Sequence, residues 1–310
     1  MKLLQKGTPL KRKTKRNLFF FSMIALPLLQ FAIFYVYVNF NNIVMAFQKY
    51  ELNSSYAFEV SYTFENFATA WKVVTERKYM LENSLIKFVV LMFIQYPLAL
   101  IFSNYVYKKW PGSGFFKTIL FMPQLISGLI YGLLFKYVVS DVYIALNPTS
   151  VGGLLDLNNV PMARTMVLLY GCLMGFGVNV LLFSGSMSGI NESVVESAQL
   201  DGANTLQEFI YITIPLVWPT LVQLLVVSVS AIFTDQMNLM TFYGSHADEL
   251  ATLGYYVYFQ TMASDIISPN PVLYLSYTEL AALSLMITMV VFPVTMFVRK
   301  MLLKYGPSSD

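Results

Sequence analysis

The sequence predicts an all-α polytopic membrane protein with six transmembrane helices, and three observations carry that prediction. Only 12% of the 310 residues are charged and 56% are hydrophobic, against about 25% charged in an ordinary soluble domain. The apolar residues fall in six long uncharged blocks, 17–48, 88–107, 118–135, 165–191, 209–234 and 280–298. About 20 helical residues suffice to cross the roughly 30 Å hydrocarbon layer. A run of basic residues stands directly before the first block.

That run is Lys2, Lys6, Lys11, Arg12, Lys13, Lys15 and Arg16, with no acidic residue among them. Beside a first span, such a run is held on the cytoplasmic side. Because it abuts the span, a nucleic-acid-binding tail is the poorer reading. The block is also too long, and lacks the small-residue cleavage site, for a removed leader. Six spans from a cytoplasmic start return the C-terminus to the cytoplasm. The loops agree: Lys108, Lys109 and Lys117 follow the second block, Arg299, Lys300 and Lys304 follow the last, and the outer segment 235–279 has no Lys or Arg. Outer segments 49–84 and 235–279 are long enough for small extracytoplasmic structure. Within the second, 250–264 is uncharged but too short for a seventh span, and reads as a packed outer helix. Asn147-Pro148, Gly152-Gly153 and the Ser-Pro-Asn-Pro of 268–271 mark turns.

Several function classes lose their footing here. One cysteine, Cys172, and one histidine, His246, give no metal cluster, and no Gly-Lys pair is present for a phosphate-binding loop. Asp141 and Asp156 stand too far from other catalytic groups to suggest a membrane-embedded enzyme. No catalytic or metal-binding residue is nominated, and any ATP used is bound by another chain. A secondary transporter would be expected to carry ionisable residues in its central spans; blocks four and five have none.

The segment between blocks four and five carries Glu192, Glu196, Asp201 and Glu208 and no basic residue, although counting places it in the cytoplasm. It reads as two short helices joined at Gly202, which can take the positive φ that reverses a chain. Ser193 with Glu196, and Asn204 with Gln207, have capping-box spacing. Val194, Val195, Ala198, Phe209 and Ile210 give the pair apolar edges. A well-capped connector is the plain alternative.

This segment resembles the permease subunits of binding-protein-dependent ABC importers. Their pattern is E-A-A, three residues, G, nine residues, I-x-L-P. The chain reads Glu196-Ser197-Ala198, three residues, Gly202, nine residues, Ile212-Thr213-Ile214-Pro215. Every spacing agrees; Ser197 replaces an alanine and Ile214 a leucine. Asp201-Gly202-Ala203, Phe209 and Pro219 are similar to the sugar-uptake, maltose-transporter-like branch, as is Phe116-Lys-Thr-Ile-Leu-Phe-Met-Pro123.

The resemblance implies a type I ABC importer permease fold and a place in the bacterial cytoplasmic membrane. Residues 80–300 would be the transmembrane domain with its coupling loop at 191–215, residues 1–79 an added basic terminus, first span and outer segment, and 301–310 a cytoplasmic tail. It implies membrane lipid as surroundings, no nucleic acid, a second permease expected to be non-identical, an extracytoplasmic solute-binding protein, and two ATPase subunits that hold ATP and Mg. The loop would dock on the ATPase, with Glu196 orienting it or pairing with a basic ATPase residue and Ala198 and Ala203 allowing close approach. The implied cargo is a sugar, with glycerol-phosphate-like solutes or peptides as alternatives.

For the solute path, Asn179 and Ser186 are seven residues apart, as are Gln223 and Ser230, so each pair shares a helix face. Polar side chains in a bilayer face the bundle interior or a cavity. They, with Tyr170 and Trp218 to stack on a ring, are candidate path residues; hydrogen bonding between helices is the competing role. Gly171-x-x-x-Gly175 suits close helix packing.

Overall fold

A computed structural model describes residues 12–52, 58–150, 152–263 and 275–307. The turn expected at 268–271 and the basic residues 2–11 lie outside the described residues. Six helices are long and apolar enough to cross a membrane: span one Thr14–Met45, two Tyr79–Tyr107, three Gly128–Leu146, four Leu157–Met187, five Thr205–Tyr243 and six Tyr277–Tyr305. Several outlast the apolar blocks, and so carry Lys87, Lys136 and Arg164 into helices expected to be free of charge. Lys87 pairs with Asp235, and Lys136 donates to the Phe242 carbonyl at 2.5 Å. Such contacts satisfy long basic side chains that stand within a span.

Alternate span ends define two ends of the bundle. One carries the 188–204 connection between spans four and five and is called the loop end. At the opposite end a hairpin pairs β1 (Gln48–Leu52) with β2 (Phe58–Tyr62), Tyr50 opposite Val60. Asn66, on the short helix Glu65–Glu76, donates to the carbonyls of Ala46 and Gln48 at 2.9 and 2.8 Å, tying the hairpin to span one. The uncharged stretch at 250–264 forms the packed helix Leu253–Ala263. Asn83 on span two donates to the Glu249 and Ala251 carbonyls just before it, at 2.7 and 2.9 Å.

The interior divides accordingly. A cluster at the opposite end gathers Tyr170, Leu239, Phe242, Leu253, Tyr256 and Leu283. A cluster at the loop end joins spans two, four and five through Tyr96, Ala99, Phe183, Met187, Val217 and Leu225. Lipid tails are as apolar as leucine, so polar bonds and close packing hold spans together. Ser103 donates to the Val180 carbonyl at 3.0 Å, Gln95 to the Cys172 carbonyl at 3.2 Å, and Tyr96 and Ser228 share a hydrogen bond. Span one has no buried residue along its apolar window.

The predicted block 118–135 is not one helix. Helix Ser113–Phe121 gives way to a 3₁₀ turn, Met122–Leu125, then to extended Ile126 (ψ 143°) and Ser127 (ψ 129°), before span three begins at Gly128. Pro123 weakens the ladder here: it has no N–H to give back to the preceding turn, although Met122 before it stays helical (φ −54°, ψ −39°) and the chain leaves the helix only at Ile126. Both helices nevertheless touch span four. The helix Ser113–Phe121 lies against Gly177, and span three against Tyr170.

That approach corrects the expectation for Gly171 and adds a tighter contact than the one at Gly175. Added methyl groups would meet nothing at Gly171 and only the Gln95 side chain at Gly175, whereas at Gly177 a Cβ would fall inside the Leu120 carbonyl. Backbone cannot yield as a flexible side chain does. Gly177→Ala is therefore expected to cost about 1–3 kcal/mol by overpacking, and Gly171→Ala almost nothing. Thermal unfolding of the purified variants in detergent reads the difference; equal midpoints would contradict the packing.

Candidate functional site

The connection between spans four and five is fixed at every turn. Helix Glu192–Leu200 is capped by Asn191, whose Oδ1 accepts from the Ser193 amide at 3.2 Å. The cap is thus Asn191, not the expected Ser193, because the asparagine side chain reaches the first-turn amides from two residues earlier. Ser193 is drawn into the helix, and Ser197 donates to its carbonyl at 2.7 Å.

The helix ends in a Schellman arrangement. The Gly202 amide donates to the Gln199 carbonyl at 3.1 Å and the Ala203 amide to the Ala198 carbonyl at 3.0 Å, with Gly202 at φ +85°. This conformation costs an ordinary residue about 1–2 kcal/mol. The expected capping box follows: the Asn204 side chain accepts from the Gln207 amide and the Gln207 side chain from the Asn204 amide, both at 2.9 Å. From Thr205 the chain runs straight into span five through a widened π-helical turn, Phe209–Thr213. Pro215, in the first turn of the next helical stretch, has no N–H to give back to that turn.

The tip is exposed. Glu192, Glu196, Ser197, Asp201 and Gly202 face outward, Ala198 and Ala203 are half-buried, and Val195 is buried beneath them. Leu200 stands 89% exposed between the acids. Phe209 packs against the loop-end cluster, while Ile212 and Pro215 are half-buried in the descent to span five. A capped helix pair with acidic flanks and a projecting leucine is a braced, exposed surface, not a slack linker.

Glu208 behaves differently from the other loop acids. Its side chain is 3% exposed, ion-paired to Lys108, which is 17% exposed, at the end of span two. Its second oxygen accepts from Gln199 Nε2 at 3.3 Å. Sequence reading placed Glu208 among the acids of the loop and Lys108 among the topology charges. Only the fold brings together residues 100 positions apart.

The second feature is the interruption at 122–127. Gln124 donates its amide to the Met174 carbonyl, and Gly128 O accepts from Tyr170 OH at 3.2 Å. Met174 lies near the middle of the helix Val160–Met187, so the break stands near mid-membrane. Residues 125–130 are exposed. Irregular backbone at that depth is tolerated only against protein or a water-filled cavity.

The six candidate path residues do not converge on one place. Tyr170 is fully buried, with Tyr131, Phe135 and Phe242 around its ring. Trp218 donates to the Leu302 carbonyl at 3.0 Å. Ser186 accepts from Thr220 at 2.9 Å, and Ser230 donates to its own helix at Val227 O, 2.8 Å. Asn179 is half-buried and Gln223 exposed. Among the described residues, no group of three or more His, Cys, Asp and Glu is placed to hold a metal ion.

Comparison with known proteins supplies the frame for this geometry. The chain is similar to the arabinooligosaccharides transport system permease protein AraP of Bacillus subtilis (strain 168), at 26% identity over 65% of this chain and 64% of that protein. It is similar to the lactose transport system permease protein LacF of Rhizobium radiobacter, at 26% identity over 57% and 63%. It thus spans a little under two thirds of the length of these relatives. A bacterial alginate ABC transporter, solved in complex with an alginate pentasaccharide-bound periplasmic protein, contains a chain of the same fold. The TM-score is 0.72 at 18% identity, covering 98% of this chain and 100% of that one. The family model for binding-protein-dependent transport system inner membrane components matches residues 95–303, the stretch that holds the broken span, the capped loop and the Lys108–Glu208 pair, and the chain belongs to that family.

Proposed function

We propose that this chain is the membrane-spanning permease subunit of an ATP-driven importer for a sugar, most simply an oligosaccharide, in a maltose-transporter-like system of the bacterial cytoplasmic membrane. The observation that carries the proposal is the exposed, doubly capped loop around Gly202 in a chain of this family. A loop that transmits motion must hold one shape under load, and the Schellman turn and capping box give it that shape. In this reading the loop docks on a cytoplasmic ATPase, which binds ATP and Mg and does the hydrolysis. This chain performs no chemistry. Two ATPase subunits, a second, non-identical permease and an extracytoplasmic binding protein complete the importer. Both termini face the cytoplasm. Residues 80–300 form the transport domain, with 1–79 as an added anchor and 301–310 as a tail.

The relatives' names, for arabinooligosaccharides and lactose, support a saccharide. A relative named for sn-glycerol-3-phosphate transport, UgpA of Agrobacterium fabrum, 27% identical over 65% of this chain, favours a phosphate-bearing polyol as the second reading. The path is proposed to run past the break at 122–127, where exposed Ser127 and the open backbone offer hydrogen bonds to hydroxyl groups. Asn179, Ser186, Gln223 and Ser230 would join it from spans four and five; Tyr170 and Trp218 support the walls.

Two outcomes test this reading. A Cβ at Gly202 would meet nothing within 4 Å, so substitution there acts through conformation alone. Gly202→Val should abolish solute uptake without impairing membrane insertion, and Gly202→Asn, which tolerates positive φ, should keep most of it. Full uptake by the valine variant would refute the rigid-loop role. Ser127→Leu should lower uptake up to about tenfold, the scale of one lost hydrogen bond, while the complex still assembles. Unchanged kinetics would remove the break from the path.

A further inference from the structure

We propose that Glu208 is a positioning residue that locks the loop to span two, so that the loop end of span two moves with whatever the loop touches. The pair with Lys108 is described above; its mechanical consequence goes beyond the docking of the loop, and rests on that docking for its role in transport.

Three separate pieces of chain meet at one carboxylate. Lys108 caps the loop end of span two, Gln199 belongs to the helix Glu192–Leu200, and Glu208 ends the short helix Thr205–Glu208. Span two stops abruptly behind the lysine: Lys109 takes φ +52°, and the Lys109 amide donates to the Val106 carbonyl at 3.1 Å. The ammonium therefore hangs from a fixed helix end. Immediately after Glu208, Phe209 enters the apolar cluster that Tyr96, Ala99 and Leu100 of span two share with spans four and five. Within the membrane span two is already held in register with spans four and five by the Ser103–Val180, Gln95–Cys172 and Tyr96–Ser228 bonds. The ion pair extends that directional tie to the loop itself, where apolar packing of Phe209 alone is non-directional.

Burying such a pair is a poor way to gain stability, since an apolar replacement of both partners often folds as well or better. Breaking it is another matter, because one charge is then left buried without its counter-ion. Displacing the loop while leaving span two behind would do just that. Span two must follow, and with it the loop ends of spans four and five.

The test uses the assembled transporter with Lys108→Met and Glu208→Gln, the charge-keeping Lys108→Arg, and the exchanged pair Lys108→Glu/Glu208→Lys. Two quantities are read: solute moved per ATP hydrolysed, and hydrogen exchange of the 192–208 amides by mass spectrometry. The single neutral variants should lose coupling and exchange roughly tenfold faster, as a loop freed from its partner does. Lys108→Arg, or the exchanged pair, should restore both toward wild type. Neutral variants that keep wild-type coupling and protection overturn the proposal. So does an arginine variant that assembles with wild-type heat stability but couples no better than the methionine variant. The exchange measurement is also made on the full chain in nanodiscs without ATPase. Pair-dependent protection there, together with no ATP-driven solute uptake by the assembled wild-type complex, would uphold the lock and reject the importer reading.

Discussion

Hydrocarbon offers no water to satisfy a backbone amide or carbonyl, and the whole architecture answers to that constraint. It makes the spans continuous helices and confines irregular backbone to places with other partners. The interruption at 122–127 is the informative exception. Pro123 opens it, Gln124 and Tyr170 bind the neighbouring carbonyls, and the exposed remainder requires protein or water beside it. A break of this kind is where a membrane protein can present polar groups to a solute at mid-depth.

In the proposed importer, an event outside the membrane must also reach the spans. The connection between spans four and five meets that need with local devices: an asparagine cap, a glycine at positive φ, a reciprocal capping box and direct continuation into span five. Each removes a degree of freedom from a segment that would otherwise fray. The Lys108–Glu208 pair adds a lateral tie to span two. Loop, span five and span two thus share a rigid corner around the cluster of Tyr96, Phe183 and Val217.

Much of this was legible in the residues. Long uncharged blocks gave the six spans, because helix length against bilayer thickness is a one-dimensional property. The loop could be read because its devices are local: Gly202 and the Asn204–Gln207 cap lie within a few residues of what they stabilise. What escaped depends on distance in sequence. Glu208 looks like its acidic neighbours until Lys108 is brought beside it. Gly177 looks less constrained than Gly171 and Gly175 until Leu120 lies against it. The Ser193 cap failed for a smaller reason: two capping residues stood close together, and Asn191 prevailed. The third block reads as one helix because its hydropathy is continuous across Pro123, and apolarity does not report where a backbone ladder stops.

Leu200, at the tip of the loop and 89% exposed, offers the decisive probe. A photo-crosslinking residue placed there in native membranes should form its main adduct with a cytoplasmic ATPase, in a yield that changes when nucleotide is added. Adducts only with lipid or with another membrane chain, unchanged by nucleotide, would contradict a loop that couples this bundle to ATP.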